Sequence, residues 1–192
     1  MESEMIQALR PVVKLLEVLG FEYFIGGSVA SGVYGVARTT LDVDVVANLT
    51  AAHVAQLVQT LSNDYYVSEN MAREAVAKQS CFNVIHLATS YKVDLFVSAN
   101  NDYDRQAMSR RALVRIGSGD GLITLVASLE DMILSKLRWY RLGNEVSERQ
   151  WNDVIQMMKI QKSRLDIVYL RQWSGDLNVN DLLDRALAET DR

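Results

Sequence analysis

Apolar and polar positions change their rhythm near residue 127. Upstream, short runs with a period of two alternate with helical stretches. Downstream, almost every apolar residue falls at helical spacing. This divides the chain into an α/β part over 1–126 and a helical part over 127–192. In the first part, 4–19 is predicted to be helical and to stop at Gly20. The aromatic and β-branched run 21–25 reads as a strand broken by Gly26-Gly27. Ser28 is expected to cap a short helix over 29–34. A second strand is predicted over 41–46, helices over 51–61 and 71–78, and a hairpin from 81–87 and 91–97 around the turn at 88–90. Strands at 112–116 and 122–126 flank Gly117-Ser118-Gly119-Asp120-Gly121. That segment reads as a hairpin turn, because no Gly-Lys-Ser/Thr follows to make it a phosphate loop.

The helical part carries clear start signals. Ser128 with Asp131, Ser147 with Gln150 and Ser163 with Asp166 fit or approximate capping boxes. A last helix is predicted over 180–188. Three or four helices packed on Trp139, Trp151 and Trp173 make a small bundle.

Composition narrows the classes. Of 192 residues, 49% are hydrophobic and 23% charged, which is enough for a sizeable core and excludes disorder as the main state. The single cysteine, Cys81, allows no internal disulfide, so a reducing, cytoplasmic setting is expected. No apolar run has the length of a membrane span, and MESEMIQALR does not read as a signal peptide. A net charge of −4 argues against a general electrostatic nucleic-acid binder, though not against a local basic patch. Arg105, Arg110, Arg111 and Arg115 read as a solvated face rather than such a patch. His53 and His86 stand apart and suggest no zinc site.

The chemistry lies in one ordered combination: strand, Gly26-Gly27-Ser28, short helix, then Asp42-Val43-Asp44 after thirteen residues. Glycines after a strand let backbone approach a phosphate closely. The helix start offers free N–H groups to it, and Ser28 adds a hydroxyl. Asp42 and Asp44, two apart on a strand, project from one face, while Val43 and Val45 face the core. Like charges there call for a cation, and carboxylate plus phosphate oxygens suit Mg²⁺. Asp94 interrupts the apolar strand 91–97 and joins the pair if the two strands are neighbours. Three carboxylates suit two divalent ions in phosphoryl transfer, with Asp94 as a metal ligand or general base. Lys136 falls in the middle of the apolar helix face formed by Leu129, Met132, Ile133 and Tyr140. A lysine there either snorkels or reaches an anion such as a bound triphosphate.

On Gly26, Gly27, Ser28, Asp42, Asp44 and Asp94, the chain resembles the nucleotidyltransferase superfamily with the DNA polymerase β-type palm, in its minimal bacterial form. More narrowly, it is similar to the abortive-infection nucleotidyltransferases of toxin–antitoxin pairs. Arg38-Thr39 precedes Asp42 as their Arg-Thr/Ser precedes Asp-x-Asp, and Lys136 and Arg141 match their helix-borne lysine and arginine. Their Arg-Asp-x-x-Asp appears as Arg149-Gln150-Trp151-Asn152-Asp153, with Gln150 in place of the first aspartate. Gln150 is read here as a capping residue and Asp153 as a surface residue. The resemblance implies an α/β (α+β) palm, a short mixed sheet flanked by helices and followed by a C-terminal helical bundle. It implies transfer of a nucleoside monophosphate from a nucleoside triphosphate (NTP), with release of pyrophosphate. In that reading Gly26, Gly27 and Ser28 hold the triphosphate, Arg38 and Lys136 neutralise phosphate charge, and Asp42, Asp44 and Asp94 bind Mg²⁺. The acceptor is an RNA end, a protein or a small molecule, and an antitoxin is an implied partner. The rival reading is a catalytically idle nucleotide-sensing or protein-binding module with the same fold.

Overall fold

The structure is a computed structural model that describes residues 3–117, 119 and 121–190. The first helix, α1 (Glu4–Val18), is capped by Ser3, whose side chain accepts from Ile6 N. It buries Ile6, Leu9, Val12, Val13 and Leu16 at helical spacing. Then follow β1 (Tyr23–Ile25), α2 (Gly27–Val33), β2 (Asp42–Ala47), α3 (Val54–Leu61), β3 (Tyr65–Val67), α4 (Glu69–Lys78), β4 (Cys81–His86), β5 (Lys92–Val97), α5 (Asp102–Arg110), β6 (Ala112–Ile116) and β7 (Leu122–Val126). Four helices complete the chain: α6 (Leu129–Leu142), α7 (Glu148–Ile160), α8 (Ile167–Asp176) and α9 (Asn180–Thr190).

One seven-stranded sheet runs β3-β4-β5-β2-β1-β7-β6. It is mixed: β2 pairs with β5 and β1 with β7 in parallel, and the other pairs are antiparallel. It is the mixed sheet expected, built from seven strands. The central strands β2 and β5 alternate strictly. Val43, Val45, Ala47, Val93, Leu95 and Val97 enter the core, while Asp42, Asp44, Lys92 and Asp94 lie on the other, half-open face. A single apolar cluster extends from α1 through the sheet to Leu183 and Ala186 of α9.

Several local expectations change. Ser28 is not a helix cap; α2 starts at Gly27 with Gly26 in the cap position and no side-chain capping bond. The stretch 51–61 divides into a 3₁₀ turn over 51–53 and α3. Neither β3 nor α5 was anticipated: β3 has only three residues, and α5 is strongly polar. Arg110 of α5 is not merely solvated. It bonds Glu130 Oε2 at 2.7 Å and lies 3.9 Å over the Tyr169 ring. Ser128 caps α6 by accepting from Asp131 N, but the Asp131 carboxylate accepts from the Ser128 hydroxyl and not from its backbone N–H, so the reciprocal half of the capping box takes another form. Ser147 caps α7, but Gln150 turns elsewhere. Asp166, not Ser163, caps α8, because a 3₁₀ turn over 162–164 precedes it. Trp151 and Trp173 are buried anchors, whereas Trp139 is half-exposed against Phe96. In the predicted turn at 117–121, Ser118 and Asp120 lie outside the described residues.

Candidate active site

The site begins where β1 gives way to α2. Gly26 N donates to Asp44 O at 2.9 Å, extending the β1–β2 pairing by one bond. Gly27 has φ +56, and a Cβ built on it would meet Asp44 Oδ2 at 1.6 Å. The Asp44 carboxylate thus lies directly against the bare Cα of Gly27. Glycine is required here twice over, for the left-handed backbone and for the contact. Ser28 is buried, and its Oγ accepts a hydrogen bond from Arg38 Nη2.

The parallel register of β2 and β5 places Asp44 opposite Asp94 and Asp42 opposite Lys92. All four side chains share one face, so Asp94 does join the pair. Asp42 Oδ1 accepts from Thr40 Oγ1 at 2.5 Å, and the Tyr91 hydroxyl holds Thr40 O. Lys92 Nζ stands 2.8 Å from Asp94 Oδ2 and 3.8 Å from Asp42 Oδ2. Among the described residues no cation forms an ion pair with Asp44, and the charges of Lys136 and Lys92 act on it only from a greater distance. Burial, with the charges of Asp42 and Asp94 behind it, pushes its carboxyl up to about 6. The hydrogen bond to Asp94 raises Lys92 above its ordinary value.

Lys136 neither snorkels nor stands free. It is buried, and its Nζ bonds Asp153 Oδ2 at 2.7 Å and Gln150 Oε1 at 3.2 Å. Burial lowers its pKa, while Asp153 opposes the shift. Asp153 is therefore not a surface residue, and Gln150 serves the lysine rather than a cap. The same Asp153 oxygen lies 3.8 Å from Arg38 Nε, which has no hydrogen-bond partner among the described residues. Ser28, Arg38, Asp153 and Lys136 thus form one chain of contacts linking α2, the following loop, α7 and α6. Arg141 takes no part in it; it pairs with Asp181 and Glu145.

The fold that carries these residues has counterparts among solved structures. The chain is similar to an antigenic nucleotidyltransferase-like protein from Paracoccidioides brasiliensis, with a TM-score of 0.52 and 18% identity over 92% of this chain and 94% of that one. It is similar to the antibiotic-resistance factor ANT(2'')-Ia in solution, with a TM-score of 0.56 and 12% identity over 100% of this chain and 97% of that one. A crystal structure of ANT(2'')-Ia in complex with adenylyl-2''-tobramycin gives a TM-score of 0.58 and 12% identity over 92% and 98%. The fold is that of the nucleotidyltransferases. No protein-family model and no curated protein sequence matches the chain.

On this nucleotidyltransferase fold, the donor set of the half-open face is all hard oxygen, which suits Mg²⁺ rather than a softer ion. A cation already sits between two of the three carboxylates, in the form of the Lys92 ammonium. The carboxylates do not make a preformed cage: among the described residues, no three His, Cys, Asp or Glu are disposed to hold an ion. Their chemistry fits a divalent metal, and the Lys92 ammonium lies within 4 Å of two of them. Sequence reasoning missed Lys92, although its position two residues before Asp94 puts it on the same strand face. Among the described residues, no helix is long and apolar enough to cross a membrane.

Proposed function

We propose that this protein is a Mg²⁺-dependent nucleotidyltransferase that moves a nucleoside monophosphate from an NTP to an acceptor hydroxyl. The observation that carries the reading is the contact of Gly27 with Asp44, backed by Asp94 in register. It joins a glycine turn able to meet phosphate to a triad of carboxylates. Two cations, Arg38 and Lys136, meet at one Asp153 oxygen, and Arg38 also reaches Ser28.

In this mechanism Gly26, Gly27 and Ser28 receive the triphosphate. Arg38, whose Nε lacks a hydrogen-bond partner among the described residues, turns that N–H to a phosphate oxygen. Lys136 supplies a second positive charge from behind Asp153. Asp42, Asp44 and Asp94 would hold divalent metal, which when bound offsets the charge growing on the transferred phosphoryl group. Asp94 takes the proton of the acceptor hydroxyl as its oxygen attacks the α-phosphorus. The bond from that phosphorus to the bridging oxygen breaks, and pyrophosphate leaves with the electron pair.

The acceptor is an RNA end, a protein or a small molecule. The resemblance to abortive-infection enzymes extends the proposal to a toxin–antitoxin or defence role with an antitoxin partner. The similarity to ANT(2'')-Ia keeps a small-molecule acceptor within it. The rival reading, an idle nucleotide-sensing module, loses force because the acidic face is complete. Incubation with α-³²P-labelled NTPs, Mg²⁺, and in turn RNA, the protein itself and small hydroxyl compounds decides between them. Label transfer with pyrophosphate release supports the enzyme. Nucleotide binding without turnover on every acceptor supports the sensor.

A further inference from the structure

Lys92 is the least expected member of the site. It opens β5 opposite Asp42, on the face that bears all three aspartates. Its strand direction leaves it no core position, since the alternate residues Val93 and Leu95 already fill the core. The Oδ2 atoms of both Asp42 and Asp94 face its ammonium, at 3.8 and 2.8 Å. Asp42 Oδ1 is occupied separately by Thr40. The other two cations of the region are committed elsewhere: Lys136 to Asp153, and Arg38 to Ser28 and Asp153. Lys92 is therefore the counter-ion of Asp42 and Asp94.

We propose that Lys92 is an internal competitor of the divalent ion, and that it makes metal loading depend on nucleotide. The inference rests on the reading of Asp42, Asp44 and Asp94 as the metal-binding face. An ion cannot take the Oδ2 atoms of Asp42 and Asp94 while an ammonium stands between them. The Lys92 side chain is 38% exposed and sits on a flexible four-carbon stem, so it can swing outward. In the free protein, that swing would leave the ammonium without an anion partner. With a triphosphate on the Gly26-Gly27-Ser28 side, the released ammonium gains phosphate oxygens instead. Nucleotide thus removes the cost of displacing Lys92, and by linkage metal and nucleotide favour each other. The arrangement keeps the acidic face from collecting divalent ions when no substrate is present.

The test is Mn²⁺ binding, read by electron paramagnetic resonance and calorimetry, on the full chain and on Lys92→Met, Lys92→Arg and Asp42→Asn. Titrations are run alone and with the α,β-methylene analogues of ATP, GTP, CTP and UTP. Without nucleotide, Lys92→Met should bind Mn²⁺ at least fivefold more tightly than wild type, while Lys92→Arg should stay within twofold of it. A productive analogue should tighten Mn²⁺ binding strongly in wild type and much less in Lys92→Met. Equal Mn²⁺ affinity in wild type and Lys92→Met, or equal enhancement by nucleotide, overturns the role of Lys92 alone. Mn²⁺ binding that survives unchanged in Asp42→Asn, or that is absent from every variant, overturns the metal-face reading along with it.

Discussion

Gly27 and Asp44 share one space: a methyl group on the glycine would fall 1.6 Å from Asp44 Oδ2. The carboxylate can lie against the glycine turn only because the residue beside it has no side chain. Gly27→Ala must therefore push Asp44 away and hold an unfavourable positive φ. The variant should lose about 2–4 kcal/mol of stability, or on the order of 10 °C in melting temperature. Nucleotidyl transfer should fall by about 100-fold or more, since a charged group is misplaced where charge develops. Thermal melting and a turnover assay at a temperature where the variant is folded check both parts.

Asp42→Asn and Asp44→Asn should abolish transfer, by about 100-fold or more each, with circular dichroism unchanged. Turnover at the wild-type rate in either variant would remove the acidic face from the mechanism.

The pH dependence of stability has a definite sign. The Asp44 carboxyl lies at about 6 in the folded protein, against an ordinary value of 3.8. Between these values the folded state binds more protons than the unfolded one, so stability falls as pH rises from about 4 to about 6. Above that window the penalty stays constant, at up to about 3 kcal/mol. Chelator-treated wild type should therefore lose more stability from pH 4 to pH 6.5 than Asp44→Asn does. Asp44→Asn should also melt higher than wild type at pH 7. Asp94→Asn should not, because it deprives Lys92 of its nearer partner. Parallel pH profiles for wild type and Asp44→Asn would refute the raised carboxyl.

Lys136 contributes to both stability and binding, and two variants separate these. Lys136→Met leaves Asp153 buried with only Arg38 at 3.8 Å, and should cost about 3 kcal/mol. Lys136→Met with Asp153→Leu replaces the pair by apolar groups and should recover most of that loss. If Lys136 serves the triphosphate, NTP affinity by calorimetry should stay weak in the double variant. Recovery of both properties would make the lysine purely structural.

The part of the site that lies within strands was readable in advance, because period-two alternation fixes which face a residue takes. That rule placed Asp42 with Asp44 and made Asp94 a candidate once β2 and β5 were neighbours. The same rule, applied to Lys92, finds the counter-ion; a lysine at a strand end gives no signal by itself. The α6–α7 contact was not readable. Asp153 looks like any polar helix residue until packing sets it against Lys136, seventeen positions away. Gln150 satisfied a capping pattern by spacing, yet its side chain had a stronger partner in a buried ammonium. The two missed elements fail for local reasons. The three residues of β3 are too few to show a period, and the burial of α5 is limited to Ala107 and Met108.

The junction between strands and bundle is stitched at Ala127. Its N–H donates to Ile25 O at 3.0 Å, and its carbonyl accepts from the Tyr34 hydroxyl. Ile25 immediately precedes the glycine pair, and Tyr34 ends α2. The base of the lysine-bearing helix is therefore riveted to both ends of the segment that would face the phosphates. The start of α6 and the glycine turn are thereby tied to each other through backbone as well as through side chains. In the proposed mechanism, the groups with room to rearrange as an NTP arrives are therefore the side chains of Arg38 and Lys92, on partly exposed, flexible stems, rather than the backbone that carries them.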